Sequence, residues 1–330
     1  MIVVTGGAGF IGSAFVWRLN RAGIKDIVIV DRLGNGEKWK NLVKLRYRDF
    51  YHKDAFLRLV KEDAVPFSVE AVVHLGACSN TMERDADYLW ENNVRYSQYL
   101  ARWALKRDIR FIYASSAATY GDGSRGFSDD DETTRLLKPI NMYGYSKQAF
   151  DLWILDHDLS RLVVGIKFFN VFGPNEYHKG EMRSVVHKAV GQVLAEGKVR
   201  LFRSYRPEYE DGGQKRDFIY VKDCVDVLWW LLQHPEVTGI YNLGTGRART
   251  WNDLVYAIFS ALQREPVIEY IDMPPGLERQ YQYFTEARME KLQGTGCPLS
   301  FSSLEEAVSD YVQGYLTSDD PYLGGENTRQ

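Results

Sequence analysis

The 330-residue sequence has only three cysteines, and they lie far apart. Cys78, Cys224 and Cys297 form no Cys-x-x-Cys pair, and their number is odd, so the sequence excludes a disulfide framework and a structural zinc site. No cluster of Asp, Glu and His has the spacing of metal ligands, and we predict no metal. Met1 is not followed by the basic and long apolar segments of a secretory signal. We therefore expect a cytoplasmic protein in a reducing compartment.

Excess charge of one sign and long hydrophobic runs are also lacking. The sequence has 41 basic and 44 acidic residues, a net charge of −3, which argues against general nucleic-acid binding. The longest apolar stretch, near 225–232, is too short to cross a bilayer, so we expect no membrane partner. The sequence does contain 45% hydrophobic and 14% aromatic residues, which suffices for a sizeable core and excludes general disorder.

The first half alternates short runs of β-branched residues with longer amphipathic stretches. This rhythm predicts an α/β fold with a doubly wound parallel sheet of the Rossmann type. The predicted strands are 1–4, 27–30, 71–74, 111–114 and 163–168. The predicted helices are 10–22, 54–62, 88–106 and 143–157.

After Asn170 the pattern is less regular and predicts a smaller, interleaved α/β substrate domain. Helices are predicted at 182–196 and 251–262, and short strands at 218–221 and 240–243. The predicted dinucleotide-binding domain is 1–170 with a returning segment near 217–245; the substrate-binding domain is 171–216 and 246–317. The polar residues 318–330 are expected to form a flexible tail.

A glycine-rich segment, Thr5-Gly-Gly-Ala-Gly-Phe-Ile-Gly12, lies between the first predicted strand and the first predicted helix. Gly6, Gly9 and Gly12 have the spacing that permits a tight turn, close approach of the backbone to a pyrophosphate, and packing of helix on strand. Free N–H groups at the helix start favour the anion. The segment therefore predicts a dinucleotide cofactor.

The end of the second strand bears on which dinucleotide is bound. Asp31 is placed to hydrogen-bond a ribose hydroxyl, as in NAD binding, whereas Arg32 and Lys38 could neutralise the 2′-phosphate of NADP. We favour NADP, and NAD stays open.

The sequence Tyr143-Gly-Tyr-Ser-Lys147 begins a predicted helix. Because residues i and i+4 share a helix face, the Tyr143 hydroxyl and the Lys147 ammonium point the same way, and the cation would favour the phenolate. Ser116 ends a predicted strand at the sheet edge where ligands bind in such folds. We predict that these three residues form a catalytic group.

The segments TGGAGFIG, SSAATYG and YGYSK together resemble the extended short-chain dehydrogenase/reductase superfamily of nucleotide-sugar epimerases and dehydratases. Further segments, above all Glu176-Tyr-His-Lys-Gly180, resemble the ADP-heptose 6-epimerase family, isomerases that make precursors of lipopolysaccharide. The resemblance covers about residues 1–315. It implies inversion at C6″ of ADP-D-glycero-manno-heptose by transient oxidation with tightly bound NADP, and assembly as a homo-oligomer, a pentamer in the family.

The resemblance also implies roles for individual residues. Tyr143 would be one catalytic acid/base and Lys179 the second, assisted by Ser116 and Lys147. Two bases suit the chemistry, because rotation of the oxidised side chain moves its oxygen before the hydride returns. Arg216 would clamp the diphosphate with its planar fork, unless it pairs with Asp217. The implied cofactor contacts are Gly6, Gly9, Phe10, Ile11, Gly12, Asp31, Arg32, Lys38, Lys53, Leu75, Gly76, Ala77, Cys78, Ser79, Asn92, Lys147, Val171 and Lys179. The implied substrate contacts are Ser116, Asn170, Glu181, Lys188, Phe202, Arg203, Ser204, Tyr205, Arg216 and Tyr281.

Two alternatives stay open. A UDP- or GDP-sugar 4-epimerase of the same superfamily would share most of these residues, although it would generally lack Lys179. A dehydratase would be expected to carry an acidic residue beside Ser116, where this chain has Ala117. A binding protein without activity would have no need of the Tyr143–Lys147 pair, and we consider it the weakest alternative.

Overall fold

A computed structural model of the chain describes residues 1–276 and 281–324. The strands in this part are β1 Ile2–Thr5, β2 Ile27–Asp31, β3 Asp49–His52, β4 Ala71–His74, β5 Arg110–Ser116, β6 Val163–Phe168, β7 Asn170–Phe172, β8 Val199–Phe202, β9 Lys215–Tyr220, β10 Gly239–Leu243, β11 Ala248–Thr250 and β12 Ile268–Ile271. The α-helices are α1 Phe10–Arg21, α2 Lys53–Lys61, α3 Ala86–Leu89, α4 Tyr96–Leu105, α5 Asp131–Leu136, α6 Met142–Asp156, α7 Val185–Glu196, α8 Val221–Gln233, α9 Trp251–Ala261, α10 Glu290–Gln293 and α11 Leu304–Tyr311.

A seven-stranded parallel sheet forms the centre of the molecule, in the order β10-β6-β5-β4-β1-β2-β3. Strands β1, β2, β4 and β6 are Val- and Ile-rich and buried along their length, as expected when both faces are covered. The order 3-2-1-4-5-6 is that of dinucleotide-binding sheets, with β10 added beside β6. The predicted fold class is confirmed.

Alternate residues of the strands face two different cores. In β1, Ile2 and Val4 pack into a core with Phe15 of α1 and Leu228 of α8. Val3 packs on the other face with side chains from α2, α4 and α6. Since side chains alternate along a strand, the same short apolar runs supply both layers of the sandwich.

The second half adds two small sheets outside the central one. Strand β9 pairs with β7 in parallel and with β11 in antiparallel, while β8 pairs with β12. The predicted returning segment thus divides in the structure: its first residues, in β9, join a small sheet, and α8 and β10 join the central layers. The bounds of the two domains remain a prediction.

The predicted flexible tail is wrong for residues 318–324. Leu323 is buried, and its backbone N–H donates to Asn175 Oδ1 at 3.0 Å. The Tyr177 hydroxyl donates to the Pro321 carbonyl at 2.6 Å. These contacts fix a polar-looking segment that has no regular secondary structure; residues 325–330 lie outside the described part. Among the described residues, no helix has both the length and the apolar character needed to cross a membrane.

Candidate active site

The glycine-rich turn joins β1 to α1 and lies directly against the loop after β4. Gly6 has φ +68°, and a Cβ there would come within 2.6 Å of the Gly76 backbone. A Cβ on Gly12 would overlap the Gly6 carbonyl oxygen. The first cap position of α1, Gly9, has no side chain to satisfy the free N–H groups of the helix start. The turn therefore leaves backbone donors facing open space, as a bound pyrophosphate requires.

Two cavities of about 550 Å³ and 350 Å³ adjoin this turn and share Gly6, Asp31, Lys38, Gly76, Ala77 and His178 among their lining residues. Every residue that the sequence assigned to the cofactor lines one or both of them. The larger cavity is lined by Gly6, Gly9, Phe10, Ile11, Gly12, Asp31, Lys38, Leu75, Gly76, Ala77, Ser79, Lys147, Val171 and Lys179. The smaller adds Arg32, Lys53, Cys78 and Asn92.

The acidic end of β2 is held by three donors. Asp31 accepts hydrogen bonds from the backbone N–H groups of Ala8, at 2.9 Å, and Arg32, at 2.6 Å. The Lys38 ammonium lies 2.5 Å from Oδ1, the oxygen that also accepts from the Arg32 N–H, and Lys38 is itself only partly exposed. The carboxylate thus ties β2 to the glycine-rich turn, and Lys38 stays at the rim that both cavities share.

Tyr143, Lys147 and Ser116 all line the larger cavity. Tyr143 and Lys147 come from α6, and Ser116 is the last residue of β5, where its Oγ accepts from the Ala118 N–H at 3.1 Å. Burial raises the pKa of Tyr143, and a hydrogen bond with Ser116 lowers it. In the chain by itself burial prevails, so the depression of this pKa expected from Lys147 is not seen.

Lys147 is almost fully buried, and its ammonium donates to the Ala114 carbonyl at 2.8 Å. Burial lowers the pKa of Lys147 to about 8, against the opposing charge of Asp151. Its charge is therefore held in place between β5 and α6, at the carboxyl edge of the sheet.

Lys179 reaches the same cavity from a different element, the 3-10 helix Tyr177–Met182. Its ammonium lies 5.4 Å from the centre of the Phe10 ring, at the start of α1. Burial lowers the pKa of Lys179, and the nearby charge of Glu176 raises it. Lys179 is thus partly enclosed beside the glycine-rich turn. An ordinary surface lysine would instead be surrounded by solvent.

Glu176 anchors the loop that carries Lys179. Its buried carboxylate accepts from the Ser184 N–H, at 2.5 Å, from the Ser184 hydroxyl, at 2.6 Å, and from the Tyr311 hydroxyl, at 3.0 Å. These bonds join the loop to the start of α7 and to α11.

The predicted substrate residues divide into two groups. Ser116 and Asn170 line the larger cavity, whose far end reaches Trp251. Arg216, Tyr281 and Phe202 are not among the lining residues of either cavity. Arg216 is buried beside the larger one, its guanidinium 5.6 Å from the Trp251 ring and 5.3 Å from the Tyr281 ring. Tyr281 in turn accepts from the Trp251 indole at 2.9 Å and meets the ring of Phe202 edge-on at 6.2 Å.

Asp217 does not take up the charge of its neighbour Arg216. Its carboxylate accepts instead from Thr245, Gly246 and Ala287. The alternative reading of Arg216 as the ion-pair partner of Asp217 is therefore not what the structure shows.

The second group of predicted substrate residues lies more openly and lines neither cavity in the described part. Glu181 pairs with Lys188 at 3.2 Å, with 92% and 38% of the side chains exposed. Arg203 faces Asp272 at 3.8 Å. Ser204 donates to the Arg206 carbonyl at 2.9 Å, and the Tyr205 N–H donates to the Tyr283 hydroxyl, also at 2.9 Å.

Sequence reasoning missed several lining residues. His178 lines both cavities, lies 3.3 Å from the Asn41 amide, and has its pKa lowered to about 4, first by burial and then by Lys38. Its position directly before Lys179 was the available signal. Met182 and Trp251 also line the larger cavity, and only the folding of distant segments brings them there. Among the described residues, no group of three or more His, Cys, Asp or Glu is arranged to hold a metal ion.

A doubly wound sheet, a glycine-rich turn against a large cavity, and Tyr, Lys and Ser side chains at its carboxyl edge define a dinucleotide-dependent enzyme of the extended short-chain dehydrogenase/reductase class. The chain belongs to the NAD dependent epimerase/dehydratase family, whose family model matches residues 2–244. The resemblance drawn from the sequence is thus confirmed, and the cofactor is a nicotinamide dinucleotide.

Relatives and solved structures narrow the comparison. The chain is 62% identical over 323 residues to the ADP-L-glycero-D-manno-heptose-6-epimerase of Nitratidesulfovibrio vulgaris, covering 98% of this chain and 100% of the relative. It is 48% identical to the enzyme of the same name from Fusobacterium nucleatum, over 98% and 100% of the two chains. The crystal structure of the Helicobacter pylori enzyme of this name superposes with a TM-score of 0.80 at 26% identity, covering 95% of each chain.

Proposed function

We propose that this protein inverts C6″ of ADP-D-glycero-manno-heptose to give ADP-L-glycero-manno-heptose, a precursor of lipopolysaccharide core. Two relatives that match it over nearly their whole length carry the name of that enzyme. The observation that carries the proposal is the position of Tyr143 and Lys179, which line one cavity from different elements together with the glycine-rich turn. A cavity with two proton-transfer groups suits a reaction that returns hydride to the opposite face.

The residues present fit a nicotinamide dinucleotide, since the glycine-rich turn leaves backbone donors at the start of α1 and no Cβ in the way. When bound, that group supplies the chemistry of removing hydride from C6″ and giving it back. The chain's own residues handle the accompanying proton. Ser116 donates a hydrogen bond to the C6″ oxygen, and Tyr143 takes its proton. Lys147, held against the Ala114 carbonyl, contributes positive charge beside the phenol and a donor for the cofactor ribose.

Lys179 serves the second arrangement of the substrate. Oxidation makes C6″ an aldehyde, and rotation about C5″–C6″ turns its oxygen away from Tyr143. Lys179 then donates a proton to that oxygen as hydride returns to the other face. Proton exchange with solvent then returns Tyr143 to the phenolate and Lys179 to the ammonium. Burial lowers the pKa of Lys179, which makes its proton easier to give up than that of an exposed lysine.

Substrate binding is assigned to the end of the cavity near α9. The Arg216 guanidinium lies 5.6 Å from the Trp251 ring and 5.3 Å from the Tyr281 ring, and its planar fork can hold two oxygens of the ADP diphosphate. Phe202 and Tyr281 offer aromatic surface for the nucleoside. The more exposed Glu181, Lys188, Arg203, Ser204 and Tyr205 complete the proposed substrate contacts, together with Asn170.

The finer proposal for the cofactor is NADP. Arg32, Lys38 and Lys53 line the smaller cavity next to Asp31, and cations of this kind suit the 2′-phosphate of NADP. Mass spectrometry of the copurified cofactor decides between NADP and NAD.

The protein is further proposed to be cytoplasmic and homo-oligomeric, a pentamer by its family resemblance. All three cysteines are free, which suits a reducing compartment. Exposed Trp39 and Val43 offer apolar surface for self-association. Light scattering of the purified protein measures the assembly.

The test of the function is incubation of the purified protein with ADP-D-glycero-manno-heptose while the ratio of the C6″ epimers is followed by NMR. We expect the two epimers to approach equilibrium without added cofactor. No interconversion, together with turnover of a UDP-hexose at C4″, would replace the proposal with a 4-epimerase. Release of water from a nucleotide hexose would indicate a dehydratase.

A further inference from the structure

A buried ion pair that the proposed function does not use lies next to the Tyr143–Lys147 pair. Lys167 of β6 and Asp151 of α6 have no exposed side-chain surface, and their charged groups are 2.7 Å apart. Removing one partner of such a pair leaves an uncompensated charge inside the protein, which is strongly destabilising. The two side chains are therefore expected to stay paired in the folded state.

Asp151 is a natural competitor for the ammonium of Lys147. It follows Lys147 by four residues and Tyr143 by eight, so all three share one face of α6. Its charge raises the pKa of Lys147. An unengaged carboxylate one helical turn away would therefore draw the Lys147 ammonium toward itself and away from the cavity.

The structure shows the acceptors of Asp151 occupied by other donors. Oδ2 accepts from Lys167 and from the Ser115 hydroxyl, each at 2.7 Å, and Oδ1 accepts from the Tyr113 hydroxyl at 3.0 Å. Lys147 donates to the Ala114 carbonyl at 2.8 Å instead. Lys167 thus neutralises the Asp151 carboxylate, which would otherwise attract the Lys147 ammonium.

Lys167 also reaches the turn that carries Ser116. Its ammonium donates to the Thr119 hydroxyl at 3.0 Å, and that hydroxyl donates to the Ser116 carbonyl at 2.8 Å. One side chain therefore connects α6, through Asp151, with the end of β5.

We propose that Lys167 is a positioning residue for the candidate catalytic group. By engaging Asp151 it keeps the Lys147 ammonium directed to the Ala114 carbonyl and the cavity, and through Thr119 it fixes the turn that presents Ser116 to Tyr143. Its importance for catalysis rests on the proposed function, whereas its effect on Lys147 does not.

Most titratable side chains that surround the Lys167–Asp151 pair are neutral, so this pair is the main source of charge acting on Lys147. Burial raises the pKa of Tyr113 and of Tyr120, whose ring lies 5.4 Å from the Lys167 ammonium, so both are neutral. His74 is neutral because burial lowers its pKa to about 3. The other titratable neighbours in the described part include Cys78, which faces Lys147, and Tyr143, one turn before Lys147 on α6. Three carboxyl groups also act on the network, Asp129 toward Lys167, Asp130 toward Tyr120 and Asp131 toward Tyr113.

The test is NMR of the full-length protein, with its copurified cofactor and with lysine labelled at Cε, titrated through the pKa of Lys147. The Lys147 signal is identified by its loss in Lys147→Met. In Lys167→Met we expect this pKa to rise by about one unit, because the charge of Asp151 acts on Lys147 alone. In Asp151→Asn we expect it to fall by about one unit, because the attracting charge is gone.

The double variant Lys167→Met/Asp151→Asn removes both charges and should bring the Lys147 pKa back near its original value. A Lys147 pKa that moves in the same direction in both single variants, or in neither, would overturn the proposal. Should Lys167→Met not fold, Asp151→Asn still decides, because a merely structural pair would leave the Lys147 pKa unchanged in that variant, whereas the proposal expects it to fall. Lys198→Met serves as the matched control, since it removes a lysine paired with a carboxylate, Glu269, in the small β8–β12 sheet.

The second connection is tested separately by Thr119→Val, which removes the hydroxyl bridge and no charge. We expect an unchanged Lys147 pKa and a lower kcat for epimerisation with little change in KM, because Ser116 is displaced while the substrate contacts persist. An unchanged kcat would contradict this part. If no variant and no parent protein turns over ADP-heptose, the proposed function fails, while the NMR result on Lys147 stands by itself.

Discussion

The cofactor side and the proposed substrate side of the site differ in how they are built. On the cofactor side, Gly6 and Gly12 lie against backbone with no room for a further atom, and Asp31 is held by three donors. On the proposed substrate side, Glu181 and Arg203 line neither cavity and lie largely in solvent. Gly191, in the helix α7 that carries Lys188, has open space where a Cβ would lie. The cofactor side is therefore complete in the chain itself, whereas the substrate side leaves side chains free to adjust to a ligand.

The largest difference in stability is expected between two Gly→Ala substitutions, one on the cofactor side and one in α7. In Gly12→Ala the new Cβ overlaps the Gly6 carbonyl oxygen, so the turn must open, at a cost of about 3 kcal/mol or more. In Gly191→Ala the Cβ meets nothing, and the helix should gain about 0.5–1 kcal/mol. Urea unfolding and cofactor retention measure both. Equal stability of the two variants would remove the contrast between the sides.

The second effect concerns the C-terminal segment, which packs where a flexible tail was expected. Leu323→Ala removes a buried side chain and should lower the free energy of unfolding by about 2–3 kcal/mol. Leu194→Ala, on the exposed face of α7, should change it by less than about 0.5 kcal/mol. Thermal or urea unfolding compares them, and a Leu323→Ala protein as stable as Leu194→Ala would mean that residues 318–324 do not pack in solution.

The third effect is the acid sensitivity of the sheet. Burial lowers the pKa of His74 from 6.5 to about 3, so the folded state holds it neutral, between Thr5 and Ser97. Its contribution is complete above pH 6.5 and is lost as the pH falls toward 3, because the unfolded chain takes up the proton first. Between pH 7 and pH 5 this amounts to ~2 kcal/mol.

His74→Gln should therefore flatten the decline in unfolding free energy over that range. His52→Gln, which replaces an exposed histidine, is the matched control for the loss of an imidazole. Identical pH slopes for His74→Gln and the parent would show that His74 is not held neutral.

The smallest effect is expected in ADP affinity, when the buried Arg216 and the exposed Arg203 are each replaced by alanine. Arg216→Ala should weaken binding of ADP by about tenfold, because it removes the guanidinium held between two rings. Arg203→Ala, an exposed residue, should weaken it by less than about threefold. Calorimetry with ADP measures both. A larger loss in Arg203→Ala would place the diphosphate at the β8 loop instead of near α9.

The difference between the two sides also explains what the sequence could predict. The short apolar runs at 71–74 and 163–168 were predicted with the bounds that the structure gives, because buried parallel strands are read from local composition. The glycine spacing and the pair Tyr143–Lys147 predicted cavity residues for the same reason: turn chemistry and helix periodicity act over a few residues.

The rest depends on contacts between distant segments. Strands β8 and β12 were not predicted, since each is stabilised chiefly by the other across the sequence. Trp251 reaches the cavity, and Leu323 becomes buried, only when remote parts of the chain meet. No local pattern in the sequence indicates that Lys167 compensates Asp151, because the two belong to different elements of the fold.

The central claim is that Tyr143 and Lys179 act on the two epimers separately. The most direct measurement mixes Tyr143→Phe or Lys179→Met with each purified C6″ epimer and follows the near-ultraviolet absorbance of the reduced nicotinamide within one turnover. We expect each variant to oxidise one epimer and not the other, with opposite preferences, while neither completes the interconversion. If both variants oxidise the same epimer, or if Lys179→Met interconverts the epimers as fast as the parent protein, the assignment of two proton-transfer groups is wrong.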